Sequence, residues 1–241
     1  MTPGGTRTRI LIGAGSFADA ESAIRLAERI VASLPAELGG VLVDEGLMAD
    51  IVHLPGQRVV STGGTLLVPP SIRQIRSLME ADARAFRHRL SAIARTRTVQ
   101  WSFEQRSGDL IRGLCEAARG WDILLLGYRE MHKRSGPVVL VTSAPAGSPR
   151  AEALATDLAG LLKAGVVVLA VSPDDGAPKA PPDQDVLARL SRINAAAVVI
   201  DMAASPMRTE DHLRQLLDAA RCPVLVLGAA PTQDFAPSEG A

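Results

Sequence analysis

Short apolar runs alternate along the chain with segments whose apolar residues recur every three or four positions. This is the pattern of strand–helix units built around a parallel sheet. Residues 9–14 (RILIGA) read as a buried strand, and residues 18–34 as a helix with Ala20, Ala23, Ile24, Ala27 and Ile30 on one side, stopped by Pro35. A second strand is expected over 40–44. Two apolar runs around Gly63-Gly64 predict a hairpin within residues 58–68, inside an irregular insertion over 45–71. A long amphipathic helix (72–95), a strand (98–103), a helix (109–119) and a strand (122–127) follow.

The pattern then restarts. Strands are expected over 136–142, 166–171, 196–201 and 223–227, with helices over 149–164, 185–193 and 209–221 and a Pro/Gly/Asp-rich loop over 174–183. In the helix at 149–164, Ala153, Leu154, Leu158, Leu161 and Leu162 are expected to face inward. Both halves open with a strand, a Gly/Ala/Ser loop, an Ala/Leu helix, a Gly and a valine-rich strand. The expected architecture is therefore α/β, with open, mostly parallel sheets and flanking helices in two abbreviated copies. Residues 1–135 form the first module, 136–229 a shortened second module, and 230–241 a tail. The second copy has nothing matching the insertion, the long helix and the third strand.

Composition narrows the function. Lys+Arg and Asp+Glu are each 26, so the net charge is zero and nothing calls for a polyanionic partner such as nucleic acid. The halves differ, however: 18 basic and 14 acidic residues lie in 1–135, against 8 and 12 in 136–241, which predicts attraction within the chain or between chains. Two cysteines cannot make a disulfide framework, and His53, His88, His132 and His212 have no metal-ligand spacing. Apolar runs are far below the roughly 18 residues of a membrane helix, and the apolar stretch after Arg7 and Arg9 is too short for a signal peptide. The expected location is cytoplasmic. The arginines of the long helix read as a solvated face, interrupted by Glu80 and Asp82. Cys115 and Cys222 read as packed thiols.

Three stretches together resemble the universal stress protein family: the strand–loop–Ala-rich helix opening each half, SGDLIRGLCEAARGWDILLLG (107–127) and LLDAARCPVLVLG (216–228). The likeness covers nearly all of the chain except the insertion and the tail. It implies an adenine-nucleotide-binding type of fold and a homodimer. ATP-binding members resemble one another in an Asp ending the first strand and a G-x2-G-x9-G-[ST] motif after the fourth. Here Ala14 or Gly15, and in the second half Thr142 or Ser143, stand where that Asp would. Gly127 matches the first motif glycine, but Glu130 stands three on, and residues 201–208 contain no glycine. Each half was also expected to complete the other's sheet or pack against it.

The sequence reading is thus a non-catalytic binding or regulatory stress protein without a cofactor, acting on a small ligand or protein partner. Dimerisation is expected through the insertion or the last strand. Open parallel sheets take ligands at strand carboxyl ends, so the candidate ligand residues are Gly13, Gly15, Ser16, Asp44, Gly127, Tyr128 and Arg129. The competing reading of the glycines is a tight turn into the helix. Two functional alternatives use the same loop. One is an adenine-nucleotide-binding stress protein with slow ATP hydrolysis. The other is an NAD(P)-binding oxidoreductase, because Gly13-Ala-Gly15-Ser-Phe-Ala18 fits G-x-G-x-x-[GA] and Asp44 could hold a ribose. Against that alternative, helical periodicity starts only near Ala18, which implies a longer loop.

Overall fold

The computed structural model describes residues 7–45, 59–60, 66–67, 72–128, 135–143, 147–171, 182–205 and 207–229. Ten strands are β1 (Thr8–Ala14), β2 (Ala36–Asp44), β3 (Val59–Val60), β4 (Leu66–Leu67), β5 (Trp101–Ser107), β6 (Ile123–Leu126), β7 (Val138–Ser143), β8 (Val166–Val171), β9 (Ala197–Asp201) and β10 (Val224–Leu227). The helices are α1 (Phe17–Val31), α2 (Ile72–Arg97), α3 (Leu110–Ala117), α4 (Pro149–Leu162), α5 (Pro182–Leu190) and α6 (Glu210–Ala220). Eight strands form one sheet in the order β5-β2-β1-β6-β10-β9-β7-β8, while β3 and β4 make the antiparallel hairpin expected around Gly63-Gly64.

Every neighbour pair in the large sheet is parallel except β6 and β10. There, Val224 faces Leu126 and Leu227 faces Ile123 in antiparallel register. The strands before and after this seam therefore run in opposite directions. The chain builds one continuous sheet, and the last strand lies inside it with both edges paired. This corrects the expectation that the last strand offers a dimer edge.

Side chains on alternate faces of the strands feed two cores. Ile10, Ile12, Leu125, Leu140 and Leu225 pack beneath α1, α2 and α4; Leu11, Leu124, Val139, Val198 and Val226 pack beneath α3, α5 and α6. All eight residues of β6 and β10 are buried, which explains their unbroken apolar runs. Gly39 and Gly40 sit inside β2 because neighbours already fill the space of a side chain: Trp121 and Leu11 beside Gly39, Leu90, Phe86 and Phe103 beside Gly40. The ladder with β1 begins at Thr8↔Ala36, so β2 starts at Ala36, earlier than the expected start at 40.

Other boundaries moved as well. α1 ends at Val31, short of Pro35, because Ala36 is already in β2. α2 continues to Arg97 and stops where Thr98 turns left-handed at φ 54°, so β5 begins at Trp101 and not at 98. As an edge strand exposed on most positions, β5 carries the polar EQRS that an apolar criterion rejects. α5 starts at Pro182, ahead of 185. In α4 the buried residues are Ala151, Ala155, Leu158 and Ala159; Ala153 is exposed, and Leu154, Leu161 and Leu162 are half-buried at the margin of the sheet.

Ion pairs cross the seam in both senses: Arg112–Glu210 at 3.5 Å, Arg214–Asp109 at 2.7 Å and Arg150–Asp122 at 3.9 Å. Two of the three use a cation from the more acidic half, so the charge asymmetry does not organise the contact. Exposed pairs of this kind are each worth about 0–1 kcal/mol, and the apolar seam dominates.

Because the sheet is continuous, damage on one side of the seam is felt on the other. Both tryptophans, Trp101 and Trp121, precede the seam. Leu225→Ala in β10 is expected to cost about 3 kcal/mol and to shift the urea midpoint read by tryptophan fluorescence as much as that read by far-ultraviolet circular dichroism. An unmoved fluorescence midpoint would mean that the two sides unfold separately.

Candidate functional site

In the first block the strand order is β5-β2-β1-β6, so consecutive connections leave β1 in opposite directions and open a crevice between the carboxyl ends of β1 and β6. The structure brings Gly13, Gly15, Gly127 and Tyr128 together there. They line a cavity of about 180 Å³ with Ala14, Asp19, Leu110, Leu114, Leu126 and Leu217. Ligand pockets for drug-sized molecules span roughly 300–1,000 Å³, so this one is small, and leucines supply four of its ten lining residues.

Two of these glycines serve packing here. A side-chain carbon at Gly13 would come within 2.5 Å of Leu114 Cδ2 and one at Gly15 within 3.6 Å of Leu110, both from α3. At Gly127 it would run into the backbone carbonyl of Asp19 in α1. The backbone faces that a phosphate cradle would leave open are thus covered by two leucines and a helix turn. Packing accounts for the glycines at 13 and 127, whereas at Gly15 a side-chain carbon would make only ordinary contact. The turn is shorter than expected: Ser16 is the N-cap and α1 starts at Phe17.

The amino end of α1 is closed by the chain itself. Ser16 Oγ accepts from Asp19 N–H at 3.1 Å and donates to the Asp19 carboxylate at 2.5 Å. The Phe17 N–H donates to Asp82 Oδ2 of α2 at 3.0 Å. Free N–H groups at a helix start attract anions through hydrogen bonding and the helix dipole. Here the anions are already supplied, as two carboxylates of the protein. The start of α3 is treated alike: Asp109 Oδ1 accepts from Arg112 N–H at 2.9 Å and Glu45 Oε1 from Leu110 N–H at 3.3 Å. A nucleotide phosphate entering this crevice would meet carboxylates at both helix ends.

Of the remaining expected residues, Asp44 ends β2 opposite Ser107, and its carbonyl accepts from Gly108 N–H at 2.8 Å. It is not among the residues lining the cavity. Tyr128 is tied to α1 through its backbone, its carbonyl accepting from Ser22 Oγ at 2.8 Å. Arg129 and Glu130 lie outside the described residues.

In the second block the carboxyl ends of the strands lie at the opposite end of the sheet, since the seam reverses direction. Asp201 lies at the end of β9. Its carboxylate accepts from Ser148 Oγ at 2.6 Å and from Ala203 N–H at 3.0 Å, beside the start of α4 where Ser148 is the N-cap. Ser143 Oγ donates to the Ala204 carbonyl at 2.6 Å, drawing the loop over the strand ends.

The sequence reading missed Asp82, Asp19, Leu114 and Leu217. A signal for Asp82 existed: it interrupts the basic face of the long helix four residues before the core residue Phe86, hence on the buried stripe. Among the described residues, no group of three His, Cys, Asp or Glu side chains could hold a metal, and no helix is long and apolar enough to cross a membrane. Cys115, on α3 behind the cavity, is 5% exposed; burial first, then the negative charges of Glu210, Asp109 and Glu116, push its thiol from 9.0 up to about 12.

Two outcomes follow. Gly127→Ala should destabilise the protein by about 1–3 kcal/mol through overpacking against α1, measured by urea unfolding; a neutral effect would show that the contact is loose. For Cys115, the folded state holds its proton more tightly than the unfolded state, so its contribution to stability is complete below pH 9 and is lost as pH rises toward about 12. Unfolding free energy should fall over that range, and less steeply in Cys115→Ala; equal slopes would contradict this assignment.

No family model and no curated protein matches the chain. Solved structures similar to it include a universal stress protein from Archaeoglobus fulgidus, with 10% identity over 91% of this chain and 97% of that one, at a TM-score of 0.47. A member of the universal stress protein family from Burkholderia pseudomallei is 19% identical over 69% of this chain and 98% of that one, at a TM-score of 0.33. A universal stress protein in complex with cAMP is 16% identical over 69% and 98%, at a TM-score of 0.28. At these identities and scores the likeness assigns no activity, and the functional argument rests on the geometry of the crevice.

Proposed function

We propose that this chain is a non-catalytic binding or regulatory protein of universal-stress-protein type, built from two abbreviated modules, in which the nucleotide crevice has been given over to internal packing. The observation that carries this reading is the Asp82 carboxylate on the Phe17 N–H, at the helix end where a phosphate would otherwise dock. The leucines over Gly13 and Gly15 and the small cavity support it. The sequence motifs resembling that family supply the module type. On this reading the protein acts in the cytoplasm as a homodimer, through a protein partner or a small, largely apolar ligand, with no nucleotide cofactor.

Calorimetry with ATP and AMP, each with magnesium, should show no binding at micromolar concentrations, and purified protein should carry no excess absorbance at 260 nm. Saturable micromolar binding of either nucleotide would replace this reading with the nucleotide-binding alternative. A saturable change in NAD(P)H fluorescence would instead favour the dinucleotide enzyme.

A further inference from the structure

The two edges of the large sheet are built differently. β5 carries Glu104 and Arg106, paired with each other at 3.0 Å, and Arg106 also reaches Glu116 at 3.7 Å. Charge on an edge is a common guard against pairing with another chain. β8 has the sequence VVVLAV, with no charge, no proline and no bulge, and it is the last strand in the sheet order. Its Val168 is 54% exposed and Val166 39%.

Among the described residues no strand pairs with the outer side of β8. Val138 N–H donates to the Gly165 carbonyl at 2.9 Å, and β7 and β8 run parallel from Val138↔Val166 to Ser143↔Val171. In such a ladder alternate residues bond inward. Val166, Val168 and Ala170 therefore direct both N–H and C=O groups away from the sheet. Leu169 and Val171 point into the core under α5 and α6, so the side chains of these three face the α4 side. There Leu154, Leu161 and Leu162 are only half-buried, and a side chain at Gly160 would meet nothing within 4 Å. The apolar stripe of α4 is wider than its own sheet uses.

We infer that β8 pairs antiparallel with β8 of a second copy, continuing the sheet across a two-fold axis at Val168. The inference rests on the dimer proposed above and names its surface; it does not depend on whether the crevice binds a nucleotide. In this register Val168 exchanges two hydrogen bonds with its own counterpart, and Val166 faces Ala170 on both sides of the axis. All the outward N–H and C=O groups of these residues are then satisfied. Two β8 strands meet with no charged group to desolvate, whereas the β5 edge carries Glu104 and Arg106, so an uncharged β8 of a second copy is the fitting occupant. A strand edge with a few apolar side chains makes a smaller surface than the roughly 800 Å² per partner of a standard interface, so the dimer is expected to be reversible.

The test uses the full chain, with light scattering behind size exclusion over a concentration series and hydrogen exchange at residues 166, 168 and 170. The expected species has twice the 25.3 kDa chain mass, with slow exchange at these three amides. Val168→Lys should abolish the dimer and speed that exchange while circular dichroism stays unchanged. Val166→Glu, at a second exposed position, should do the same should Val168→Lys fail to fold. A strict monomer with fast exchange would overturn the dimer itself. A dimer that survives both variants would leave dimerisation standing and overturn this surface. A monomer with slow exchange would assign the edge to another segment of the same chain, and polymers of rising mass would assign it to β5 of the next copy; either overturns the inference.

Discussion

Four residues of β6 lying antiparallel to four of β10 determine most of what this molecule can do. The contact is apolar, fully buried and short. It reverses the direction of the sheet, so that the carboxyl ends of the first and second blocks face opposite ways. It brings α6, and with it Leu217, against the crevice at β1 and β6. It also places the last strand in the middle of the sheet and leaves β5 and β8 as the outer edges. The positions of the crevice and of the two sheet edges both descend from this one pairing.

At three helix starts among the described residues, where an open α/β sheet could hold an anion, the chain supplies its own acceptor. Asp82 and Asp19 close α1, Asp109 and Glu45 close α3, and Asp201 with Ser148 closes the start of α4. Each carboxylate satisfies donors that would otherwise be unpaired, and each adds negative charge where a phosphate would need positive potential. Leucine packing over Gly13 and Gly15 acts in the same sense by a different means: it removes space. Steric and electrostatic exclusion thus coincide in the first crevice.

Much of the fold was legible because central strands advertise themselves. RILIGA, DILLLG and PVLVLG are apolar on both faces, since helices cover both, and no other element type fits such short runs. β5 was displaced by three residues because an edge strand carries no such requirement. The facing of α4 was legible only in part: Leu158 is in the core as expected, but Ala151, Ala155 and Ala159 share it, while Leu154, Leu161 and Leu162 are half-buried against it and Ala153 is exposed. The crevice glycines were found by motif, but their purpose depended on Leu110, Leu114 and the α1 carbonyl, which lie far away in sequence. Asp82 lies 65 residues from the N–H it caps, and only the packing of α2 against α1 brings the two together.

The most direct test of a self-occupied crevice reads the backbone donors themselves. In amide-resolved nuclear magnetic resonance, the Phe17, Asp19 and Leu110 signals should keep their positions as ATP with magnesium is raised to millimolar concentration, because their acceptors are already in place. Saturable movement of the Phe17 amide would show that phosphate displaces Asp82, and would contradict the account.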